Sequence, residues 1–120
     1  VDLSISCECP NGVDASGVLV AFLRMDGAFL HSIDIAIDKA STAAGFGFPT
    51  EGWVTAMAGD EMLKAALSVR PRLVVVGGGV PAYEGAQRVG AIGVSGASAE
   101  QDAACARAAL AAIGLQDAPR

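Results

Sequence analysis

The stretch RMDGAFLHSIDIAIDKAST, Arg24 to Thr42, decides how this chain is read. Arg24 closes an apolar run that opens at Gly17, and Met25-Asp26-Gly27 has the composition of an exit turn. From Ser32 the apolar period lengthens to that of a helix. Ile33, Ala36, Ile37, Ala40 and Ala44 share one face, and Asp34, Asp38 and Ser41 share the opposite, solvated one. Ser32 suits the N-cap and Asp34 the positive end of the helix dipole. A helix over 32–44 is therefore predicted, ended by Gly45-Phe46-Gly47-Phe48-Pro49.

The flanks decide how that strand and helix are used. Upstream, Leu3 to Cys9 alternates as a strand does, Pro10-Asn11-Gly12 reads as a break, and Asp14 to Gly17 adds turn residues. Val18/Val20/Phe22 and Leu19/Ala21/Leu23 are both apolar, which predicts a second strand, Gly17 to Arg24, covered on both faces. Downstream, a helix over Asp60–Ser68 is expected to turn Met62, Leu63, Ala66 and Leu67 inward. A buried strand at Leu73–Val76, a turn at Gly77–Pro81 and a strand at Val89–Ser95 follow. The last helix is signalled by Ser98 and Gln101, a capping box, and by Gly114 at its end. The strands are grouped rather than strictly alternating with helices. That favours one α/β domain over 1–120, of the α+β kind, with an antiparallel sheet flanked by helices.

Composition narrows the function. The chain has 120 residues, 52% of them hydrophobic, and a mean hydropathy of +0.47. Its longest uninterrupted apolar run, Val18 to Leu23, is far short of the ~20 residues a membrane helix needs. No secretory signal opens the chain, although a start at Val1 allows a processed precursor. The apolar excess predicts a homo-oligomer. A net charge of −5 with scattered basic residues argues against nucleic acid and against an anionic membrane surface. Cys7, Cys9 and Cys105 make an odd count, which suits core thiols in a reducing cytoplasm better than a disulfide framework. Cys7-x-Cys9 could also hold a soft metal or cap a redox centre, and Cys105 reads as packing.

Val74-Val75-Val76-Gly77-Gly78-Gly79-Val80-Pro81-Ala82 imitates the glycine turn of a dinucleotide site. Such a site needs a helix to begin there, so that free N–H groups meet the pyrophosphate. Only Tyr83 to Arg88 separate Ala82 from the next strand, too few for a crossover helix. The glycines are better read as a hairpin connection or a close approach of two backbones.

Four segments carry a resemblance. They are Arg24-Met25-Asp26-Gly27-Ala28 with Ser32, Ala36, Lys39-Ala40 and Thr42-Ala43; Gly78-Gly79-Val80-Pro81; Gly90 to Ala97; and Gln101-Asp102. Together, over roughly residues 13–113, the sequence resembles the GlcG/HbpS-like heme-binding family and is similar to the C-terminal domain of PduO-type corrinoid adenosyltransferases. The resemblance implies a profilin-like antiparallel sheet with helices packed on it, a higher homo-oligomer, and heme binding or degradation. Three departures stand out. Family members open with a long helix, whereas Val1 leads almost directly into expected strand residues; Pro10 to Ser16 exceeds the family's tight turn, and Tyr83-Glu84 replaces an aliphatic residue.

Candidate site residues follow. Lys39, on a stripe with Ile35 and Thr42 at the border of the apolar face, could place its ammonium against a ligand carboxylate, or pair with Asp26 or Asp38. Arg24, oriented by Asp26, could hold a heme propionate. Thr42 joins Arg24 and Lys39 as a ligand-binding candidate. His31 could ligate heme iron or act as an acid/base near neutral pH, and Glu84 could serve as a carboxylate base. Three readings result, the last being a structural or regulatory oligomer with no ligand at all. The first is a heme or tetrapyrrole binder with Arg24 and Lys39 on the propionates. The second is a cofactor-independent enzyme on a small carbonyl or carboxylate substrate, with Asp26, His31 and Glu84 moving protons.

Overall fold

The computed structural model describes residues 9–120. Strands β1 (Cys9–Asp14), β2 (Leu19–Phe22), β3 (Gly79–Glu84) and β4 (Gln87–Ser95) form one antiparallel sheet in the order β2-β1-β4-β3. The helices are α1 (His31–Phe46), a 3-10 turn at Thr50–Gly52, α2 (Trp53–Ala56), α3 (Glu61–Ser68) and α4 (Ala99–Ala112). This is the α+β architecture expected from the grouped strands. No helix among the described residues is long and apolar enough to cross a membrane.

Alternation along the strands sorts the core into two layers. Cys9, Asn11 and Val13 of β1 align with Ser95, Gly93 and Ala91 of β4, and Gly79 and Pro81 of β3 align with Gly93 and Ala91. This face carries α1, whose Ala40, Ala43 and Ala44 pack on Val13 and Ala91, while Ala36 meets Cys9 and Ala28. On the other face, Val80, Ala82 and Val94 pack against Cys105, Ala106 and Leu110 of α4. The glycines make the α1 layer thin. A Cβ on Gly93 would stand 2.7 Å from the Ala40 nitrogen and collide with the Ala36 carbonyl oxygen, and one on Gly79 would collide with the Lys39 carbonyl oxygen. The glycine run is thus a close approach of backbones. Gly79 opens a strand and not a helix, which removes the geometry a pyrophosphate would need.

Several expectations need correction. Residues 3–8 of the first expected strand lie outside the described residues, but Cys9 opens β1 and the strand continues through Pro10-Asn11-Gly12 instead of breaking. The Pro10 carbonyl accepts from Leu23 N–H, on the β2 side, where pairing ends at Asn11–Phe22. The missing proline N–H therefore points away from β4 and interrupts no bond of the β1–β4 ladder, and it falls where the β1–β2 pairing ends. Strand β2 is not covered on both faces; it is an edge strand with Val20 71% exposed, and it carries a bulge opposite Gly12–Val13. Leu73–Val76 forms no strand, because Val74 gives its N–H to the Thr42 hydroxyl at 3.1 Å. The strand starts later, at Gly79.

Helix ends differ as well. Helix α1 begins at His31 with Leu30 as N-cap and no side-chain cap, and Ser32 is buried inside it. Asp60 caps α3 by accepting from Leu63 N–H at 2.9 Å, yet α3 buries no residue and Met62 is 84% exposed. The Ser98–Gln101 capping box of α4 is formed as expected, and Gly114 takes the left-handed conformation (φ +74°) beyond it. Cys105, expected as a packing thiol, is buried and disulfide-bonded.

Candidate functional site

The signature residues of α1 point to two different places. Lys39 is not a border residue: it is 2% exposed. Its ammonium donates to Asp102 Oδ2 and to the Val94 carbonyl oxygen, both at 3.0 Å, and Asp102 Oδ1 accepts from Ala97 N–H at 3.1 Å. The pair links α1 to the first turn of α4 past the end of β4. Every charge in it is met, as burial requires. Lys39 therefore secures the fold and lines neither of the clefts described below. Its partner Asp102 was visible as a signature residue, but no local pattern announces a contact between positions so far apart.

Thr42 and its neighbours build a groove. The Thr42 hydroxyl donates to the Asp38 carbonyl at 2.7 Å and accepts from Val74 N–H. Arg72 donates from Nε to Asp38 Oδ1 at 3.0 Å and from Nη2 to Ser41 Oγ at 3.2 Å. These bonds draw the segment after α3 down onto the C-terminal half of α1. Arg72 adopts φ +65°, the left-handed region, and is the one non-glycine residue to do so among the described residues. Strain of this kind persists where surrounding contacts over-determine it, and here three side chains of α1 do so.

Between α1 and that segment lies a groove of about 380 Å³, lined by apolar Phe46, Leu67, Pro71 and Leu73 and by Thr42, with Arg70 and Arg72 beside them. The Phe46 ring stands edge-on to Trp53, 4.7 Å between centroids. Arg70 is exposed and has no ion pair among the described residues, and Arg72 is opposed only by Asp38. The groove is thus a local excess of positive charge on a chain of net charge −5. Chemically, it offers flat apolar walls to a ring system and guanidinium forks to its carboxylates. Arg70 and Arg72 were missed as site residues because Arg70-Pro71-Arg72 reads as a helix stop; the paired arginines flanking a proline were the available signal.

The remaining candidates stand elsewhere. Arg24, Asp26 and His31 are exposed around the N-terminal end of α1, and Arg24 and Asp26 make no ion pair with each other. His31 and Thr42 are separated by about 16 Å along the helix axis at 1.5 Å per residue, so His31 does not reach the groove within one chain. Glu84 is exposed at the β3–β4 hairpin. The structure does not gather Asp26, His31 and Glu84 into one cleft. No group of three or more His, Cys, Asp or Glu among the described residues is placed to hold a metal ion.

Comparison with known proteins bears on this geometry. A PduOC–heme complex superposes with a TM-score of 0.83 at 30% identity, covering 92% of this chain and 80% of that one. A double mutant of HbpS from Streptomyces reticuli gives 0.77 at 34% identity, over 88% and 70% of the two chains. An uncharacterized 15.0 kDa protein from the dhaT–dhaS intergenic region of Citrobacter freundii is 37% identical over 82% of this chain and 70% of its own length. The corrinoid adenosyltransferase PduO of the same organism is 33% identical over 87% of this chain, which spans only 31% of that enzyme. Residues 11–111 match the family described as haem degrading protein HbpS-like, and the chain belongs to that family.

Proposed function

We propose that the chain binds heme or a related tetrapyrrole in the groove between the C-terminal half of α1 and the Arg70–Leu73 segment. The observation that carries this reading is the pairing of Arg70 and Arg72 with an apolar wall on an otherwise acidic chain. The heme complex of the PduOC relative supports the ligand class. Arg70 and Arg72 would hold the carboxylates, and Phe46, Leu67 and Leu73 would take the ring. Bound there, heme would bring a redox-active iron that side chains alone do not supply.

Titrating the protein with hemin tests the reading, followed by the Soret band and by quenching of Trp53, whose ring abuts Phe46. The double variant Arg70→Gln/Arg72→Gln is expected to bind about tenfold more weakly, the loss of roughly 1.4 kcal/mol of charge-assisted contact discounted for exposure. An unchanged affinity would remove the groove from consideration. Adding peroxide to the loaded protein and watching the Soret band decay reads degradation in the same cuvette.

The same reading includes a homo-oligomer. Val18, Val20 and Leu23 on and beside β2, with Phe29 and Leu30 before α1, are 61–76% exposed. Exposed apolar surface gathered in this way marks an association face. The bulge in β2 blunts simple extension of the ladder, so the contact is expected to run through side chains. Val20→Lys should shift the mass by light scattering toward the 12.0 kDa monomer with little effect on stability, since Val20 is 71% exposed. A wild-type chain already running as a monomer would refute the oligomer.

A further inference from the structure

A second cleft, of about 570 Å³, lies away from the arginine groove, between α2, the Val75–Gly77 segment and α4. Val54, Val75, Val76, Ala103 and Ala104 form its apolar walls. Its charged groups are Glu51, Glu100 and Arg107. The arginine is already committed: Nη2 donates to Glu51 Oε1, and Nε donates to Asp117 Oδ2 at 3.1 Å. Partial burial works to lower the Arg107 pKa, but Glu51 and Asp117 outweigh it and raise the value, so this cation stays charged and engaged. Counting Glu51 and Glu100 against Arg107 leaves the rim with a net charge of −1. Glu51 Oε2 adds the second observation. The atom is shielded from solvent and accepts no hydrogen bond among the described residues, although the side chain as a whole is 39% exposed; such an oxygen costs free energy until a donor arrives.

We infer that this cleft binds a small apolar amine, with its ammonium donating to the Glu51 carboxylate and its hydrocarbon chain lying on Val54, Val75 and Val76. A turn of the Glu51 side chain presents its carboxylate to the cleft, and Arg107 keeps Asp117 as its partner. The opposite charge preferences of the two sites keep them separate. An anionic ring ligand is favoured beside Arg70 and Arg72 and repelled by this acidic rim, and an alkylammonium is favoured here. The apolar walls add the usual gain for hydrocarbon removed from water.

The probes are n-hexylamine, n-hexanoate and n-hexanol, titrated against the wild-type chain. Binding is read from backbone amide shifts at Val75–Gly77 and Ala99–Ala104 and from Trp53 emission. Hexylamine is expected to give saturable shifts confined to this cleft, with hexanol weaker and hexanoate weakest. Glu51→Gln, which leaves an acceptor for Arg107, should weaken hexylamine about tenfold, the effect of losing one charge-assisted bond. Ala104→Leu, at an exposed position on the wall, should abolish the shifts by filling the cleft with the fold intact. Absence of saturable shifts with hexylamine, or hexanoate affinity equal to it, overturns the inference. So does an affinity that Glu51→Gln leaves unchanged. Hemin binding at the arginine groove is independent of all three outcomes.

Discussion

Lys39→Met is expected to destabilise the fold by about 3–5 kcal/mol, the cost of leaving a buried carboxylate without its cation. Asp102 is 2% exposed, and after the substitution only Ala97 N–H would remain on its carboxylate. The Val94 carbonyl oxygen would lose the ammonium as well. In urea, the midpoint should fall with an unchanged slope, since the folded surface is the same. The double variant Lys39→Met/Asp102→Leu should recover more than half of the loss, because removing both charges removes the stranded one; the orphaned Ala97 N–H keeps recovery incomplete. Hemin affinity, measured on the folded protein, should not change in either variant. A single substitution costing less than about 1 kcal/mol would show that the pair is not the lock described above. A lost hemin affinity in a stable Lys39 variant would return Lys39 to the ligand.

The elements that were legible in the sequence are those whose signals are local. The capping box of α4 involves residues three apart, and the apolar stripe of α1 repeats within its own length, so both helices emerge close to where they were expected. Grouped strands pointed to an antiparallel sheet for an equally local reason, the want of chain for crossovers. The failures are tertiary. Pro10-Asn11-Gly12 has turn composition, and only the pairing shows that the proline sits at the end of the β1–β2 contact with its nitrogen turned away from β4. Val74-Val75-Val76 has strand propensity, but its backbone is claimed by Thr42 across 32 residues of chain. The double apolar pattern of β2 suits a strand covered on both faces and equally an edge strand held back for another molecule. At the site the same division holds. Thr42 was legible as a signature residue, but its use in holding Arg72 and Val74 was not. Arg70 and Arg72 become a site only when that segment folds back onto α1.

Gly93→Ala should be the most damaging exchange of a single hydrogen for a methyl group in the chain, with a loss of about 3 kcal/mol or more. Overpacking by a methyl group ordinarily costs about 1–3 kcal/mol when side chains can move aside. Here the obstacles are the Ala36 carbonyl oxygen, the Ala40 nitrogen at 2.7 Å and the Ala40 Cβ at 2.9 Å, so a helix backbone must shift instead. Lifting α1 off β4 also loosens Gly79 from the Lys39 carbonyl and the Lys39–Asp102 link, so the damage spreads along the helix. This is why the alanines of the α1 signature and the glycines of the β3 and β4 signatures belong together: each set allows the other to approach. Gly45→Ala provides the control. It lies in the same helix, with open space around its Cα and an ordinary backbone, and should be neutral or stabilising by about 0.5–1 kcal/mol. Thermal melts of the two variants should therefore move in opposite directions. A Gly93→Ala chain as stable as Gly45→Ala would mean that α1 and the sheet are not in the backbone contact on which this account of the signature depends.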